Sequence, residues 1–372
     1  MSSVLEREST GGVVGTLGSG AVVLAVVAVQ LVAFWTAVEV VDQPTLYAAF
    51  ALGSAAALVA ASGGGFAGVA AAAAGTLVIV GISSLFGQLW MAAGAPAVLT
   101  VLVGATAGRW TDAAAATLGT LLLVAVGVPI GLFVLRQDPA VVAAKLGEPD
   151  VHRMLVLTVY GPLLSTVVAV GFGVPLAYLL AEGFPGQAVV ESLVDLPLVV
   201  PHSVAGLLIL FGFGRGAAFS DLRVLGTLAG MVLALTFVSA PFAVNGAREA
   251  FETVDPRLGF AARAHGASKF ETFRRVTLPL AARGVFTGGV MAWARGVSEF
   301  GAVAIVAYSV EYVSPLSLST VTTQHAPVFI FNTYTSQGLA ESGAVATILL
   351  GLSALIFLLV RWVAYDDVGG AF

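Results

Sequence analysis

Residues Gly246–Arg283 read GAREAFETVDPRLGFAARAHGASKFETFRRVTLPLAAR. This is the one long polar stretch in a series of apolar runs. It holds Arg248, Arg257, Arg263, Lys269, Arg274, Arg275 and Arg283, seven of the chain's sixteen basic residues. A polar stretch set between long apolar runs reads as a loop between membrane spans, and Lys and Arg are retained in the loops that stay cytoplasmic. Fold class and orientation both follow from that reading.

Outward from the loop, the chain is apolar in both directions. Of its 372 residues, 58% are hydrophobic and only 10% charged, and the mean hydropathy is +0.99. A soluble domain carries about 25% charged residues, so this chain could not cover a water-facing surface. A membrane span takes roughly 20 mostly apolar residues, which leaves room for about ten. Four are expected at Gly18–Val38, Thr45–Ala61, Phe66–Phe86 and Met91–Ala107. Six more are expected at Ala113–Leu135, Met154–Leu180, Val189–Phe213, Val224–Ala243, Gly284–Tyr308 and Gly343–Val363. Barrel strands would alternate apolar and polar residues, and these runs do not. The expected fold is all-α, a polytopic transmembrane helix bundle in the cell membrane. Residues 1–110 form an N-terminal extension of about four spans, and 111–372 a core that carries the 246–283 loop.

With that loop inside, the remaining loops fall into place by counting. Ser309–Ser342 has no Lys or Arg and two acids, Glu311 and Glu341, which suits the outer face. The N-terminus, Arg109 and the end of the chain fall inside, and the acidic Glu39–Asp42 turn outside. Arg136, Lys145, Arg153, Arg215 and Arg223 run against the rule. The opening MSSVLERESTGG lacks a basic region before its apolar run, so the first span reads as a retained helix rather than a cleaved signal. The net charge of −5 and the gathering of cations in one loop argue against nucleic acid as a partner. Cysteine is absent and the four histidines are scattered, which leaves no thiol chemistry and no metal or cofactor site to expect.

Within the loop, Pro256 permits a helix start and Gly266 suits a helix C-cap. A second helix over Lys269–Thr277 is expected to stop before Leu278-Pro279, because the residue preceding Pro disfavours the helical region. Two short helices would make a rigid knob, and Ala261, Ala262, Ala264 and Ala267 would let it seat deeply in a groove. Phe260-Ala261-Ala262, three residues, Gly266, nine residues and Val276-Thr277-Leu278-Pro279 resemble the EAA signature of ABC importer permeases. Phe260 stands where the family has Glu. The resemblance implies that Ala261, Ala262, Gly266, Ala267, Leu278 and Pro279 couple the chain to a separate ABC ATP-binding subunit. It also implies a second permease copy as a homodimer partner and an extracytoplasmic substrate-binding protein, with lipid around the whole. No G-x-x-x-x-G-K-[ST] loop occurs in the chain, so an ATP site of its own is not expected.

Further segments narrow the resemblance to molybdate/tungstate permeases of the archaeal type, over about residues 113–365. They are Phe172–Tyr178 (FGVPLAY), Phe184–Gly186 (FPG), Asp195–Gly206 (DLPLVVPHSVAG) and Trp293–Ala302 (WARGVSEFGA). The substrate implied is a tetrahedral oxyanion, tungstate or molybdate, with sulfate or thiosulfate as the alternative. A secondary transporter would show half-to-half similarity and coupling carboxylates, and none is found. The resemblance does not extend to residues 1–110, and the loop around Glu311–Gln324 is longer than the family's.

Residues of the chain also suggest where an anion passes. Pro197 and Pro201 are expected to interrupt a span near His202 and Ser203, and a broken span offers helix-end donors to an anion. Arg295 and Glu299 stand four residues apart in one span and can neutralise each other. Ser298 adds a neutral hydroxyl, and Asp195 is expected to make an interhelical contact. On the outer face, Phe329, Phe331 and Tyr334 in an uncharged aromatic segment suit a surface that meets the binding protein.

Overall fold

The computed structural model describes residues 29–61 and 126–366, except 31, 128 and 132. It divides into two compact units, Met1–Arg136 and Gln137–Phe372. The expected spans Phe66–Phe86 and Met91–Ala107 lie outside the described residues, as do most of Gly18–Val38 and Ala113–Leu135.

In the first unit, helix α1 (Pro44–Ala61) covers the expected Thr45–Ala61 run. It folds back on the segment before it through a turn at Asp42, where φ is +54°. Tyr47 and Ala51 are buried with Ala37, the Phe34 and Tyr47 rings meet edge to face at 5.4 Å, and Gln30 Nε2 donates to Ser54 Oγ at 2.6 Å.

The second unit begins with α2 (Pro139–Leu146), capped by Asp138, which accepts from Ala140 N at 2.8 Å. Helix α3 (Pro149–Glu182) follows. Its 34 residues span about 51 Å, more than a bilayer core of about 30 Å. Helices α4 (Gln187–Val199), α5 (His202–Phe213) and α6 (Leu228–Glu252) come next. After the basic loop, α7 (Pro256–Ala264) and α8 (Lys269–Thr272) lead into α9 (Leu278–Val297) and the short α10 (Gly301–Val306). The segment after α10 contributes β1 (Val310–Val313), β2 (Thr320–Thr323) and α11 (Ala326–Gln337), and α12 (Leu339–Asp366) closes the described part.

Helices α3, α6 and α9 form the centre. Small residues let them approach, as apolar lipid supplies no hydrophobic drive to press helices together. Gly246 and Gly288 lie so close at the α6–α9 crossing that a Cβ on Gly246 would sit 2.8 Å from the Gly288 Cα. A Cβ on Gly173 of α3 would sit 2.9 Å from a Val244 methyl of α6. The largest buried cluster joins Leu157, Met231, Leu235 and Val306 with Ile209 of α5 and Val310 of β1.

Two expectations are corrected here. The Val189–Phe213 run is interrupted as expected, α4 and α5 meeting at a 113° bend, but by one proline rather than two. Pro201 makes the break, with Val200 extended at φ −70°, ψ 128° before it, whereas Pro197 is accommodated inside α4. The Gly284–Tyr308 span stops at Val297 and restarts at Gly301. Among the described residues, three helices are long and apolar enough to cross a membrane, or four if the bent pair counts as one.

The fold is helical as expected, with one short two-stranded sheet after α10. Val310–Val313 and Thr320–Thr323 pair as an antiparallel hairpin with Val310 opposite Thr323 and Val313 opposite Thr320. Its base is anchored by buried Val310 and by Tyr312, whose ring stacks on Tyr160 at 6.4 Å. Two of the cations that run against the charge rule prove to be neutralised. Buried Lys145 binds Glu148 at 3.0 Å, Glu341 at 3.1 Å and Gln337 at 2.8 Å, and Arg153 binds Asp150 at 2.9 Å.

Candidate coupling element and transport pathway

The basic loop is built by local rules. Asp255 caps α7, accepting from Arg257 N at 2.9 Å. The helix then ends in a Schellman turn at Gly266, whose φ is +90°. Gly266 N–H donates to Arg263 O at 3.0 Å and Ala267 N–H to Ala262 O at 3.1 Å, which satisfies two of the last carbonyls. Ser268 and Glu271 form a capping box for α8, with Glu271 N donating to Ser268 Oγ at 3.2 Å and Ser268 N to Glu271 Oε2 at 2.9 Å. The Ser268 N–H, and then its hydroxyl, hold the Glu271 carboxyl below the usual carboxylate range.

The helix does not stop before Leu278-Pro279, as the sequence led one to expect. A π-turn over Phe273–Thr277 carries it straight into α9, and Leu278 N–H reaches back to Phe273 O. Pro279 has no N–H to give, and the wider turn absorbs that loss. Ala261, Ala262, Gly266 and Ala267 lie together at the end of α7, Ala261 and Gly266 exposed and Ala262 and Ala267 half-buried, while Leu278 and Pro279 lie beyond the π-turn, where α9 begins. Phe273 is wedged against Tyr178 at 4.7 Å and Phe251 at 5.9 Å, so the element is braced on the ends of α3 and α6. Outward it shows Leu258, Phe270 and Phe260, the last 65% exposed with the Arg263 guanidinium 4.9 Å over its ring.

At the two helix breaks, His202, Ser203, Arg295, Ser298 and Glu299 come together. Pro201 starts α5 at His202, and α9 ends with Ser298 as its cap. The chains touch through Gly301, where a Cβ would lie 3.0 Å from Ser203 N and 3.1 Å from His202 Cβ. Glu299 is fully buried: Oε1 accepts from Ala302 N at 2.9 Å and Oε2 from Arg295 Nη2 at 2.7 Å. Arg295 Nη2 also donates to His202 Nε2 at 2.5 Å. That nitrogen must be the bare one, which puts the ring proton on Nδ1, 3.8 Å from Glu299 Oε2. Arg295 Nη1 reaches Ser298 Oγ at 3.4 Å. His202, Ser203 and Ser298 are exposed.

Asp195 makes an interhelical contact, accepting from Asn245 Nδ2 at 2.7 Å between α4 and α6. Of the aromatic residues, Phe331 and Tyr334 are exposed on α11, whereas Phe329 is half-buried against Met154 and Val345. Phe331 packs on Phe300 at 5.4 Å, directly beside Glu299. Sequence reasoning passed over Phe300 and over His325, which is fully buried with Nε2 donating to Gly296 O at 3.2 Å. A histidine just before Ala326-Pro327 in an uncharged loop was the available signal. It also passed over a cleft of about 660 Å³ between α6 and α9, lined by Asn245, Glu249, Arg283 and Thr287.

Residues 169–365 match the family model described as the binding-protein-dependent transport system inner membrane component. The molybdate/tungstate transport system permease protein of Pyrococcus abyssi is 38% identical over 224 residues, 56% of this chain and 82% of the relative. A sulfate transport system permease protein of Synechocystis is 32% identical over 231 residues, 60% of this chain and 80% of the relative. A crystal structure of a bacterial ABC transporter involved in importing the acidic polysaccharide alginate shares the fold. Its TM-score is 0.50 at 17% identity, over 68% of this chain and 93% of that one.

Proposed function

Because the chain belongs to the binding-protein-dependent transport system inner membrane component family, we propose that it is the permease subunit of an ABC importer for a tetrahedral oxyanion, tungstate or molybdate. It is a multi-pass membrane protein and a transport component. Two copies form the pathway, a separate ATP-binding subunit seats on the Phe260–Ala267 turn, and an extracytoplasmic binding protein delivers the anion to the face that carries α11. The anion passes His202, Ser203, Arg295 and Ser298.

One observation carries the anion class: a guanidinium, an imidazole and a hydroxyl converge at two facing helix breaks. A guanidinium edge and a hydroxyl are donors that a tetrahedral oxyanion accepts from, the His202 ring accepts from Arg295 and orients it, and an intramembrane arginine faces a pathway or a partner rather than lipid. The relatives support tungstate and molybdate over sulfate, since the sulfate permease is the more distant of the two compared. The test is uptake into proteoliposomes holding the permease, its ATP-binding subunit and its binding protein. Tungstate uptake should require ATP hydrolysis and be competed poorly by sulfate. Uptake driven by an ion gradient without the ATPase would point to a secondary transporter, and preferred sulfate uptake to the alternative anion.

A further inference from the structure

The Arg295–Glu299 pair poses a physical problem for a pathway. A bare guanidinium in a site of low dielectric would hold a divalent oxyanion and not release it, and conduction demands binding weak enough to leave. Glu299 is fully buried and spends its two oxygens on Arg295 and on the Ala302 N–H. Arg295 still keeps 17% of its side-chain surface open. That open side shares its surroundings with the exposed Ser298 hydroxyl, 3.4 Å from Nη1, and with the half-exposed His202 ring, 2.5 Å from Nη2.

We propose that Arg295 is a way-station for the oxyanion and that Glu299 is its resident competitor, a specificity-tuning residue that keeps the hold on the anion weak. This rests on the reading of the chain as an oxyanion permease. The anion approaches the open edge of the guanidinium, accepting from Nη1 and from the Ser298 hydroxyl, which turns to it from the Arg295 carbonyl oxygen that it otherwise donates to at 3.0 Å. Glu299 never leaves, because an unpaired carboxylate in its buried place would be strongly unfavourable. Arg295 is thus never free to give both of its edges to the anion, and a bidentate grip is denied. His202 holds Nη2 from the other side and fixes the plane of the fork. No covalent step is involved, since the anion exchanges one set of hydrogen bonds for another.

The experiment uses the full permease assembled with its ATP-binding subunit, and reads two quantities: equilibrium retention of radiolabelled tungstate without binding protein, and uptake rate with it. Glu299→Gln keeps the shape but removes the competing charge, and its single amide oxygen can accept from Ala302 N or from Arg295, not from both. It should tighten retention at least tenfold and slow uptake at least tenfold. The neutral pair Arg295→Gln/Glu299→Gln, which leaves no buried charge unmatched, should lose the tight retention. Ser298→Asp, at an exposed position, adds a second competitor beside Nη1 and should weaken retention and uptake at least fivefold, so the proposal stays testable if Glu299→Gln fails to assemble. A merely structural ion pair would give equal loss of uptake in the single and double variants with no retained tungstate, and that result overturns the proposal. Unchanged retention in Glu299→Gln or Ser298→Asp overturns it as well. If instead the unmodified complex moves no tungstate, molybdate or sulfate, the failure lies with the oxyanion reading itself.

Discussion

At the scale of single residues, His325 shows how a buried titratable group writes itself into stability. It lies in the outer segment before α11, and burial, opposed by hydrogen bonds to the Gly296 and Val297 backbone, pushes its imidazole down to about 4. An unfolded histidine titrates near 6.5. Between those values the unfolded chain binds more protons than the folded one. Its contribution is therefore complete above about 6.5 and is lost as pH falls through about 4. The loss is at most about 3 kcal/mol. The melting temperature of the detergent-solubilised chain should drop across that window. His325→Gln, which can still donate to Gly296 O, should flatten the drop. Parallel curves for the two proteins would assign the pH dependence elsewhere. The i, i+4 pairing of Arg295 with Glu299 was legible in the sequence because four residues is one helical turn. The partnership of Arg295 with His202 was not, because 93 residues separate them.

At the scale of elements, the proposed coupling turn depends on one backbone conformation. A side chain at Gly266 meets no neighbour, yet its φ of +90° is strained for any L-residue, at about 1–2 kcal/mol. Gly266→Ala should leave the permease inserted but loosen the Ala262–Ala267 turn. Co-purification of the ATP-binding subunit should then fall about tenfold, in line with that cost, and undiminished co-purification would remove the turn from the docking surface. The opposite face is tested at α11. Phe331 and Tyr334 are exposed, and Phe331 packs on Phe300, the residue after Glu299. Phe331→Ala with Tyr334→Ala should cut binding-protein-stimulated ATP hydrolysis at least fivefold while basal hydrolysis persists. Equal stimulation in the variant would mean that these rings rest on lipid as an interfacial belt. Helix starts and stops with a local cause were legible here: Pro256, Gly266 and Pro201 each act within a turn of themselves. The π-turn before Pro279 was not, because it needs the Phe273 ring braced on Tyr178 and Phe251 from two other helices.

At the scale of the whole molecule, residues 1–110 are proposed as a peripheral extension, since they carry few polar groups with which to line an anion path. Their removal should lower the yield of assembled complex severalfold and leave the ratio of tungstate to sulfate uptake unchanged. An assembled, truncated complex with altered selectivity would place them at the pathway instead. The sequence by itself determined the membrane class, the helical core and the capped turn at Gly266, because hydropathy and cap residues are local quantities summed along the chain. It also named His202, Ser203, Arg295, Ser298 and Glu299, which the fold brings together. Only the tertiary structure decided that the Gly284–Tyr308 span is broken as well and that a short hairpin follows α10. It alone decided that the breaks meet, placing His202 against Arg295 and leaving Glu299 with no surface in water. Those outcomes rest on which distant backbones can approach, and glycines at 246, 288 and 301 permit that approach without announcing their partners.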